Sequence, residues 1–510
     1  MKNDMKILNK ILSIVLLSVV LSSCQKDFLE TAPTNALSSD VVFTSMEGAN
    51  LALNGMYRYF YQYHDDHDRF GHMAVNVEMD LMGDDMVLHS AGYGWFRNQY
   101  AWVTHRNADL AVVWERWRCY YAIINNANII ALYIDDVEGS TDEKNNIKAQ
   151  ALASRAFSYY QLLQLYAPAY TLNPGGPGIP LYTEPTQEGN PRSSLAEVYA
   201  QIETDLAEAI SLMNQSNFQR HRSHVSLAVI HGLYARTALA KADYPTALSH
   251  ANSAIEVAED SGNSLFGPGQ LTINNDSFVD PELVNTTSAF NSVSSSEWLW
   301  GSEIVEDQAT IFASFMSHFD ARFTSYAQLG LQKKISPALY DQIPETDARK
   351  THWIAPGMGA GALVDYNQLK FGVKVVGTWA ADYVYMRLAE MYLIKAEALA
   401  RGAGTDAQAA QTLYDLVSQR DPEYVLSTNT GAALQDEIML HRRIELWGEG
   451  FRWIDLKRLG QPLDRNGKGH VASLAQVMEV PAGDNKWVWK IPTAEFNANQ
   501  QLNPDTDQNP

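Results

Sequence analysis

Cysteine is nearly absent from this 510-residue chain, which contains only Cys24 and Cys119. A disulfide framework is therefore excluded as the main support of the fold. Basic residues are also few: 38 Lys and Arg stand against 59 Asp and Glu, for a formal charge of −21. Nucleic acids and other polyanions need clustered positive charge, so the composition argues against such partners. Beyond the first 21 residues, no apolar run is long enough for a membrane helix.

The N-terminal segment has the pattern of a secretory signal. Three lysines within the first ten residues precede an apolar stretch at 11–21, which is too short to cross a bilayer of about 30 Å. The stretch ends in Leu-Ser-Ser-Cys24, which resembles a bacterial lipobox and implies a lipid on Cys24. We predict a lipoprotein signal peptide at 1–23 and a flexible tether at 24–43. The alternative is a plain signal peptide with a coincidental cysteine.

Much of the chain has the period of amphipathic helices, with apolar residues three or four positions apart. Ser194 and Glu197 have the spacing of a helix-capping box. Two stretches, 224–258 and 387–417, each resemble one tetratricopeptide unit, a pair of antiparallel helices about 34 residues long. The pattern predicts a mainly α fold with divergent tetratricopeptide-type hairpins as its scaffold. Single helices are predicted at 44–63, 113–134, 147–166 and 194–213.

The region 261–386 breaks this pattern, because Ser, Asn, Gly and isolated aromatic residues replace the helical period. The segment Glu297–Gly301 predicts a short strand. Long irregular segments in a compact protein are more often functional than idle. On this context alone we expect Tyr326 and Trp353 to be exposed and to contact a ligand.

A second irregular stretch, 92–102, concentrates aromatic side chains around a few polar ones. Gly92 and Gly94 disfavour a helix, so the stretch predicts a loop. The sequence leaves open whether each ring is buried or exposed. Exposed rings would cover the apolar faces of sugars, while Arg and Asn side chains bond their hydroxyl groups. The aromatic residues are Tyr93, Trp95, Phe96, Tyr100 and Trp102.

The stretch 441–460, HRRIELWGEGFRWIDLKRLG, carries a helical apolar face and a parallel stripe of charges. Arginines three or four positions from its carboxylates predict ion pairs. Because paired carboxylates stay ionised, we interpret the carboxylates of this stretch as members of a structural ion-pair lattice. The alternative is that they are catalytic acids. Gly448 and Gly450 indicate a break or a close backbone approach. The carboxylates are Glu445, Glu449 and Asp455.

Within this stretch, ELWGEGFRWIDLKR resembles the C-terminal signature of the SusD/RagB family of outer-membrane nutrient-binding lipoproteins. The runs INNAN and RAFSYY and the terminal Pro, Glu, Asn and Gln-Asn-Pro pattern also resemble family motifs, in the family's order. The resemblance implies a SusD-like fold with long irregular loops and a few short strands. It implies one domain at 44–510, with an N-terminal helical part (44–260), a loop-rich insert (261–386) and a C-terminal helical part (387–510).

The resemblance also implies a function: a lipid-anchored protein of the outer membrane, facing the cell exterior, that captures an oligo- or polysaccharide. It implies delivery of that glycan to a SusC-like TonB-dependent transporter, with no catalysis and no cofactor. In this family the sugar contacts lie largely in the loop before the helix predicted at 113–134. By position, that role falls on Tyr93, Trp95, Phe96, Arg97 and Asn98.

Two other functions stay open on the sequence. The first is a surface glycoside hydrolase that would use two carboxylates such as Asp85 and Glu449. The second is a tetratricopeptide adaptor that binds peptides, in which the loop aromatics would fill the core. The segment 63–72 gathers His and Asp, but no pair has a recognised zinc or calcium spacing. We interpret it as a solvated turn and predict no metal.

Overall fold

The computed structural model of the protein describes residues 42–214, 221–273, 289–375 and 378–510. The predicted signal peptide, Cys24 and nearly all of the tether lie outside the described residues. Within those ranges, no helix combines the length and the apolar character that crossing a membrane requires.

Helices make up most of the described chain, as the sequence predicts, and the strands are few and short. The longer helices are α1 (Met46–Arg58), α2 (His72–Leu81), α3 (Ala111–Tyr133), α4 (Thr141–Tyr166), α5 (Leu195–Asn214), α6 (Leu227–Ala240), α7 (Tyr244–Asp260), α8 (Leu388–Ala398), α9 (Asp406–Val417), α10 (Gly431–Glu445) and α11 (Arg452–Arg458). Helices of four to six residues lie at Arg97–Tyr100, Pro268–Leu271, Phe315–Phe319, Pro337–Tyr340, Ala472–Ala475, Thr493–Ala498 and Pro504–Asp507.

The two predicted tetratricopeptide-type units are present as the pairs α6–α7 and α8–α9, whose members pack against each other. Helix α7 buries the alanines of one face, which lets its partner approach closely. The side chain of Asp243 caps α7 by accepting from the Thr246 amide (3.3 Å). Helices α4 and α5 form a third packed pair. These pairs supply the scaffold that positions the loops.

The strands of the described residues pair antiparallel, two by two. The strand Trp298–Ser302 confirms the strand predicted at 297–301, and its partner Tyr383–Arg387 leads directly into α8. This pair therefore joins the loop-rich insert to the C-terminal helices. The pairs are β1 (Met86–Leu88) with β5 (Lys333–Ile335), β2 (Pro177–Pro180) with β3 (Arg192–Ser194), β4 (Trp298–Ser302) with β6 (Tyr383–Arg387), and β7 (Leu463–Asp464) with β8 (Glu479–Val480).

The helical apolar face predicted across 441–460 is interrupted, because the chain breaks between α10 and α11. Gly448 and Gly450 have φ of +83° and +87°, a left-handed conformation that favours glycine. A Cβ at Gly448 would lie 2.4 Å from a ring carbon of Phe371, and one at Gly450 would lie 2.5 Å from Oδ1 of Asn76. Both reasons anticipated for these glycines, a break and a close approach, therefore apply.

The charged stripe of this region forms a buried ion-pair network. Arg387 is fully buried and uses all five N–H donors: on both oxygens of Glu449 (2.6 and 3.0 Å), on the side chain and carbonyl of Glu445 (2.8 and 2.9 Å), and on Glu297. Arg420 also bonds Glu297 and Glu445 (2.7 and 3.1 Å). The network thus ties the insert to the C-terminal part.

The electrostatics of these carboxylates support the structural interpretation. Burial alone would raise the pKa of Glu449, but Arg387 and Lys370 outweigh it and hold that pKa below its usual value. The pKa of Asp455 is likewise lowered, because Arg442 and Arg458 overcome the effect of burial. A general acid needs the opposite shift.

Candidate ligand-binding surface

The aromatic loop at 92–102 divides its rings between the core and the surface. Tyr93 is 66% exposed and Trp95 is half-buried. Phe96, Tyr100 and Trp102 are buried, so these three rings contribute to packing. The loop is therefore both pinned to the core and open to solvent.

Tyr93 and Trp95 belong to a cluster of rings that we call the aromatic surface. Tyr326 lies at its centre, with centroid distances of 5.6 Å to Tyr93, 5.9 Å to Trp95 and 4.9 Å to Phe312. Tyr63 is 40% exposed and joins the cluster by contact with the ring of His67, at a centroid distance of 6.3 Å. The aromatic surface consists of Tyr63, His67, Tyr93, Trp95, Phe312 and Tyr326.

Tyr326 forms the floor of the aromatic surface. Its side chain is only 7% exposed, and its hydroxyl group is 2.6 Å from Nδ1 of His67. The predicted exposure of Tyr326 is therefore wrong, because the rings of its neighbours cover it. It still fixes the relative position of three loops that are distant in the sequence.

Two glycine turns bring the loops of Tyr93 and Tyr326 together. Gly92 has φ +42°, and a Cβ there would lie 2.6 Å from Cγ of Leu331. Gly330 has φ +107°, and its carbonyl accepts a hydrogen bond from the Ser90 hydroxyl (2.5 Å). Neither turn tolerates a larger side chain without strain. This close approach holds the Tyr93 ring over Tyr326.

Polar groups flank the rings. Asn98 is exposed at the start of the short helix Arg97–Tyr100. Arg97 is half-buried, and its Nε has no hydrogen-bond partner among the described residues. The exposed amide of Asn98 can therefore donate to hydroxyl groups of a bound ligand, whereas Arg97 can do so only through its terminal N–H groups, because its Nε is enclosed.

Two residues expected at the site are buried elsewhere. Trp353 is fully buried and packs edge-to-face against Trp447 (5.7 Å), so the exposure predicted for it is wrong. Phe96 is 1% exposed and packs edge-to-face on His318 (4.9 Å), beneath the aromatic surface. Phe96 supports the loop from below, and we leave both residues out of the proposed ligand contacts.

Sequence reasoning missed His67, Tyr63 and Phe312. The segment 63–72 is not a simple solvated turn, because His67 packs among the rings of the aromatic surface. His72 is buried, and its Nδ1 is 2.8 Å from the Tyr120 hydroxyl group. The available signal was the presence of aromatic and histidine side chains inside a short polar segment. No group of three metal-ligating side chains occurs in the part of the chain that the structure describes.

The carboxylates considered for hydrolysis are engaged in ion pairs. Asp85 accepts from Arg443 (2.5 and 2.8 Å), and Glu449 accepts from Arg387 and Lys370. Both carboxylates are less than a tenth exposed. This arrangement is typical of a structural role.

Comparison with known proteins finds one family in both halves of the chain. A SusD-like family model, described as starch-binding and associating with the outer membrane, matches residues 27–239, and the SusD family model matches residues 346–510. No curated protein matches the chain.

Several solved structures share this fold. A SusD-like carbohydrate-binding protein from Bacteroides vulgatus is 27% identical, with a TM-score of 0.77 over 91% of this chain and 98% of its own. Surface glycan-binding protein A from Bacteroides fluxus is 17% identical, with a TM-score of 0.66 over 91% and 99%. A laminarin-binding SusD-like protein is 19% identical, with a TM-score of 0.65 over 92% and 100%.

Proposed function

Because the chain belongs to the SusD/RagB family, we propose that it is a cell-surface lipoprotein that binds an oligo- or polysaccharide and delivers it to a SusC-like TonB-dependent transporter. The observation that best supports glycan binding is the aromatic surface. Its accessible rings come from separate loops and pack around His67 and Tyr326, with hydrogen-bonding groups beside them.

The chemistry of this surface suits a neutral glycan. Flat rings cover the apolar faces of sugar units, and Arg97 and Asn98 donate to hydroxyl groups in the plane of the sugar. Tyr93 and Trp95 make the direct contacts, and Tyr326 supports them from below. Binding of this kind breaks no bond, so the proposed role is capture without catalysis.

In this proposal, a lipid at the N-terminus of the mature protein is the membrane anchor. A lipid on Cys24 would hold the protein at the outer membrane, and the tether would let the folded domain reach both glycan and transporter. Replacing Cys24→Ala should release the protein from membranes while the purified domain still binds glycan. Retention of the variant in washed outer membranes would contradict lipid anchoring at this residue.

The decisive experiment is calorimetric titration of the purified protein with a panel of neutral polysaccharides that includes laminarin. For the ligand that binds, Trp95→Ala should remove roughly 60 Å² of apolar contact, worth about 1.5 kcal/mol or roughly tenfold in affinity. Tyr93→Ala should weaken binding by a similar factor. The matched control is Tyr414→Ala, which truncates a half-buried tyrosine on α9 that contacts Tyr424 and lies outside the aromatic surface.

Unchanged affinity in both Trp95→Ala and Tyr93→Ala, with unchanged thermal stability, would contradict the proposed site. Catalysis is tested separately by incubating the protein with the bound polysaccharide and measuring new reducing ends. We expect none. Sustained turnover that is abolished by Glu449→Gln would instead establish a glycoside hydrolase.

A further inference from the structure

A second concavity, which shares no residue with the aromatic surface, lies between α3, the loop 181–191 and the helix Thr493–Ala498. Its volume is about 240 Å³, equivalent to roughly eight water molecules. This is smaller than pockets for drug-sized ligands, which run from roughly 300 to 1,000 Å³. We call it the α3 pocket. Its apolar wall consists of Tyr121, Ile124, Tyr182 and Ala498.

The walls of the α3 pocket are held in place by the protein itself. Asn499 is buried, and its Nδ2 donates to the carbonyl of Asn190 (2.9 Å) and to Oε1 of Glu495 (3.0 Å). Gly189 packs so closely that a Cβ would lie 2.0 Å from Oδ1 of Asn499. The Asn190 amide also donates to the Tyr182 hydroxyl (3.0 Å). The loop is therefore preorganised, which lowers the entropic cost of binding.

The opposite wall is equally fixed. Nδ2 of Asn128 donates to the carbonyls of Tyr182 (3.1 Å) and Glu184 (3.2 Å). Oδ1 of Asn128 accepts from Arg155 (2.8 Å), and Arg155 is itself paired with Asp205 (2.6 Å). The positive charge behind this wall is thus neutralised by a buried carboxylate.

The lining of the α3 pocket is rich in acceptors and carries negative charge. Glu184, Glu188 and Glu495 line it, and none of its lining residues, all of which the structure describes, is a lysine or an arginine. Oε2 of Glu495 accepts from Nε1 of Trp117 (3.0 Å), which fixes that carboxylate at the pocket. Carboxylate oxygens accept hydrogen bonds from hydroxyl and ammonium groups and repel other carboxylates.

Two tyrosine rings give the apolar wall its shape. The rings of Tyr121 and Tyr182 meet edge-to-face, with centroids 5.8 Å apart and an interplanar angle of 82°. They form a corner in which a small ring can lie against apolar surface while its substituents face the polar rim. A single pyranose has this combination of an apolar face and a hydroxyl perimeter.

We propose that the α3 pocket is a second sugar site, which binds one neutral or amino-bearing pyranose unit and rejects hexuronates. The proposal rests on the proposed glycan-binding function and deepens it, because it adds selectivity for charge. A chain held at the aromatic surface and a terminal unit held in the α3 pocket would be recognised by separate groups.

Ligand-observed NMR titration tests the pocket with three probes that share a pyranose ring: methyl glucoside, protonated glucosamine and glucuronate. We expect glucosamine to bind at least as tightly as methyl glucoside, and glucuronate to bind about fivefold or more weakly at low salt. Ala498→Leu adds bulk at the pocket wall and should weaken methyl glucoside about tenfold or more. Ala494→Leu, on the same short helix but outside the lining, is the matched control.

The outcomes separate this proposal from the proposed function. If Ala498→Leu abolishes binding of methyl glucoside while polysaccharide binding still depends on Trp95, both proposals stand. If no probe binds the wild-type protein, or if Ala498→Leu and Ala494→Leu have equal effects, the α3 pocket is not a sugar site and the aromatic surface is unaffected. If polysaccharide binding is lost in Ala498→Leu and kept in Trp95→Ala, the aromatic surface is the wrong site.

The charge selectivity has its own test. Glu184→Gln combined with Glu188→Gln keeps the shape of these exposed side chains and removes two negative charges. Because Glu495 stays in the pocket, the double variant should still prefer methyl glucoside to glucuronate, but by about half the wild-type factor or less. An unchanged preference against glucuronate would overturn the electrostatic part of the proposal.

Discussion

Removing Arg387 is the sharpest test of how this fold is held together. Its guanidinium is fully buried, and each of its five N–H groups donates to an oxygen of Glu297, Glu445 or Glu449. Replacing Arg387→Leu keeps much of the side-chain volume but leaves three buried carboxylates with one cation fewer. Breaking a buried ion pair by removing one partner costs about 3–5 kcal/mol.

The remaining cations limit this cost without cancelling it. Arg420 still bonds Glu297 and Glu445, and Lys370 still bonds Glu449 (2.6 Å). We therefore expect a loss near 3 kcal/mol, the lower end of that range of about 3–5 kcal/mol. Against a typical unfolding free energy of about 5–15 kcal/mol, such a loss is readily measured by urea denaturation.

The matched control is Arg401→Leu. Arg401 is about one-fifth exposed and bonds Glu397 (2.8 Å), which keeps its second partner, Arg458 (2.7 Å), when Arg401 is removed. We expect this change to cost less than about 1 kcal/mol. Equal losses in the Arg387 and Arg401 variants, or no loss in either, would refute the claim that the buried network ties the insert to the C-terminal helices.

The pH dependence provides an independent check. In the wild-type protein, Arg387 and Lys370 overcome burial and lower the pKa of Glu449 in the folded state. Such a group stabilises the fold above the unfolded pKa of about 4.3, and the contribution is lost as the pH falls through the folded pKa. Arg387→Leu removes the stronger of the two cations behind this contribution. The difference in stability between the two proteins should therefore be largest near neutral pH and shrink only below about pH 4, as the pH falls through the lowered folded pKa of Glu449.

Three further predictions concern a buried lysine, the chain break and the aromatic surface. Lys333 is fully buried, and burial lowers its pKa to about 7. Lys333→Met should therefore stabilise the protein below that pH by a few kcal/mol, since each pKa unit corresponds to about 1.4 kcal/mol. Measured by urea denaturation, this gain in unfolding free energy should fade toward pH 10. A gain that does not depend on pH would contradict this. Gly450→Ala should lower the melting temperature more than Gly357→Ala, since both glycines have positive φ (+87° and +81°) but only a Cβ at Gly450 would meet another residue. Equal melting temperatures in the two variants would refute the close approach at Gly450. Tyr326→Phe keeps the ring and loses the hydrogen bond to His67 (2.6 Å). Glycan affinity measured by calorimetry should therefore fall less than in Trp95→Ala. A larger fall would give the Tyr326 hydroxyl group a direct role in binding.

Local sequence patterns predicted the elements whose stabilising contacts lie within a few residues. The helical period located α1 and α3 to α9 within about six residues of their observed ends, but it missed α2 and the break between α10 and α11. The capping box of Ser194 and Glu197 is present, with the Ser194 amide donating to Glu197 (2.7 Å). Asp455 and Arg458, three positions apart, form the expected ion pair (2.8 Å). Each of these interactions depends on neighbours in the sequence, so the sequence is sufficient.

The candidate site was predicted only in part, because exposure is a property of the assembled chain. Tyr93 and Trp95 are accessible, which the sequence of the aromatic loop left open, while Trp353, in an equally irregular segment, is enclosed by the core. His67 and Tyr326 are 259 residues apart in sequence and meet through a hydrogen bond that no local pattern indicates.

What the sequence by itself determined is the helical scaffold, the presence of paired charges and the concentration of aromatic residues at 92–102. Tertiary structure alone decided which partners those charges have: Glu449 bonds Arg387 and Lys370, 62 and 79 residues away, instead of an arginine three or four positions away. It also decided which rings face solvent, because close approaches at Gly92 and Gly330 set how the loops of the aromatic surface pack. The physical reason is that burial and long-range pairing arise only when distant segments exclude water together.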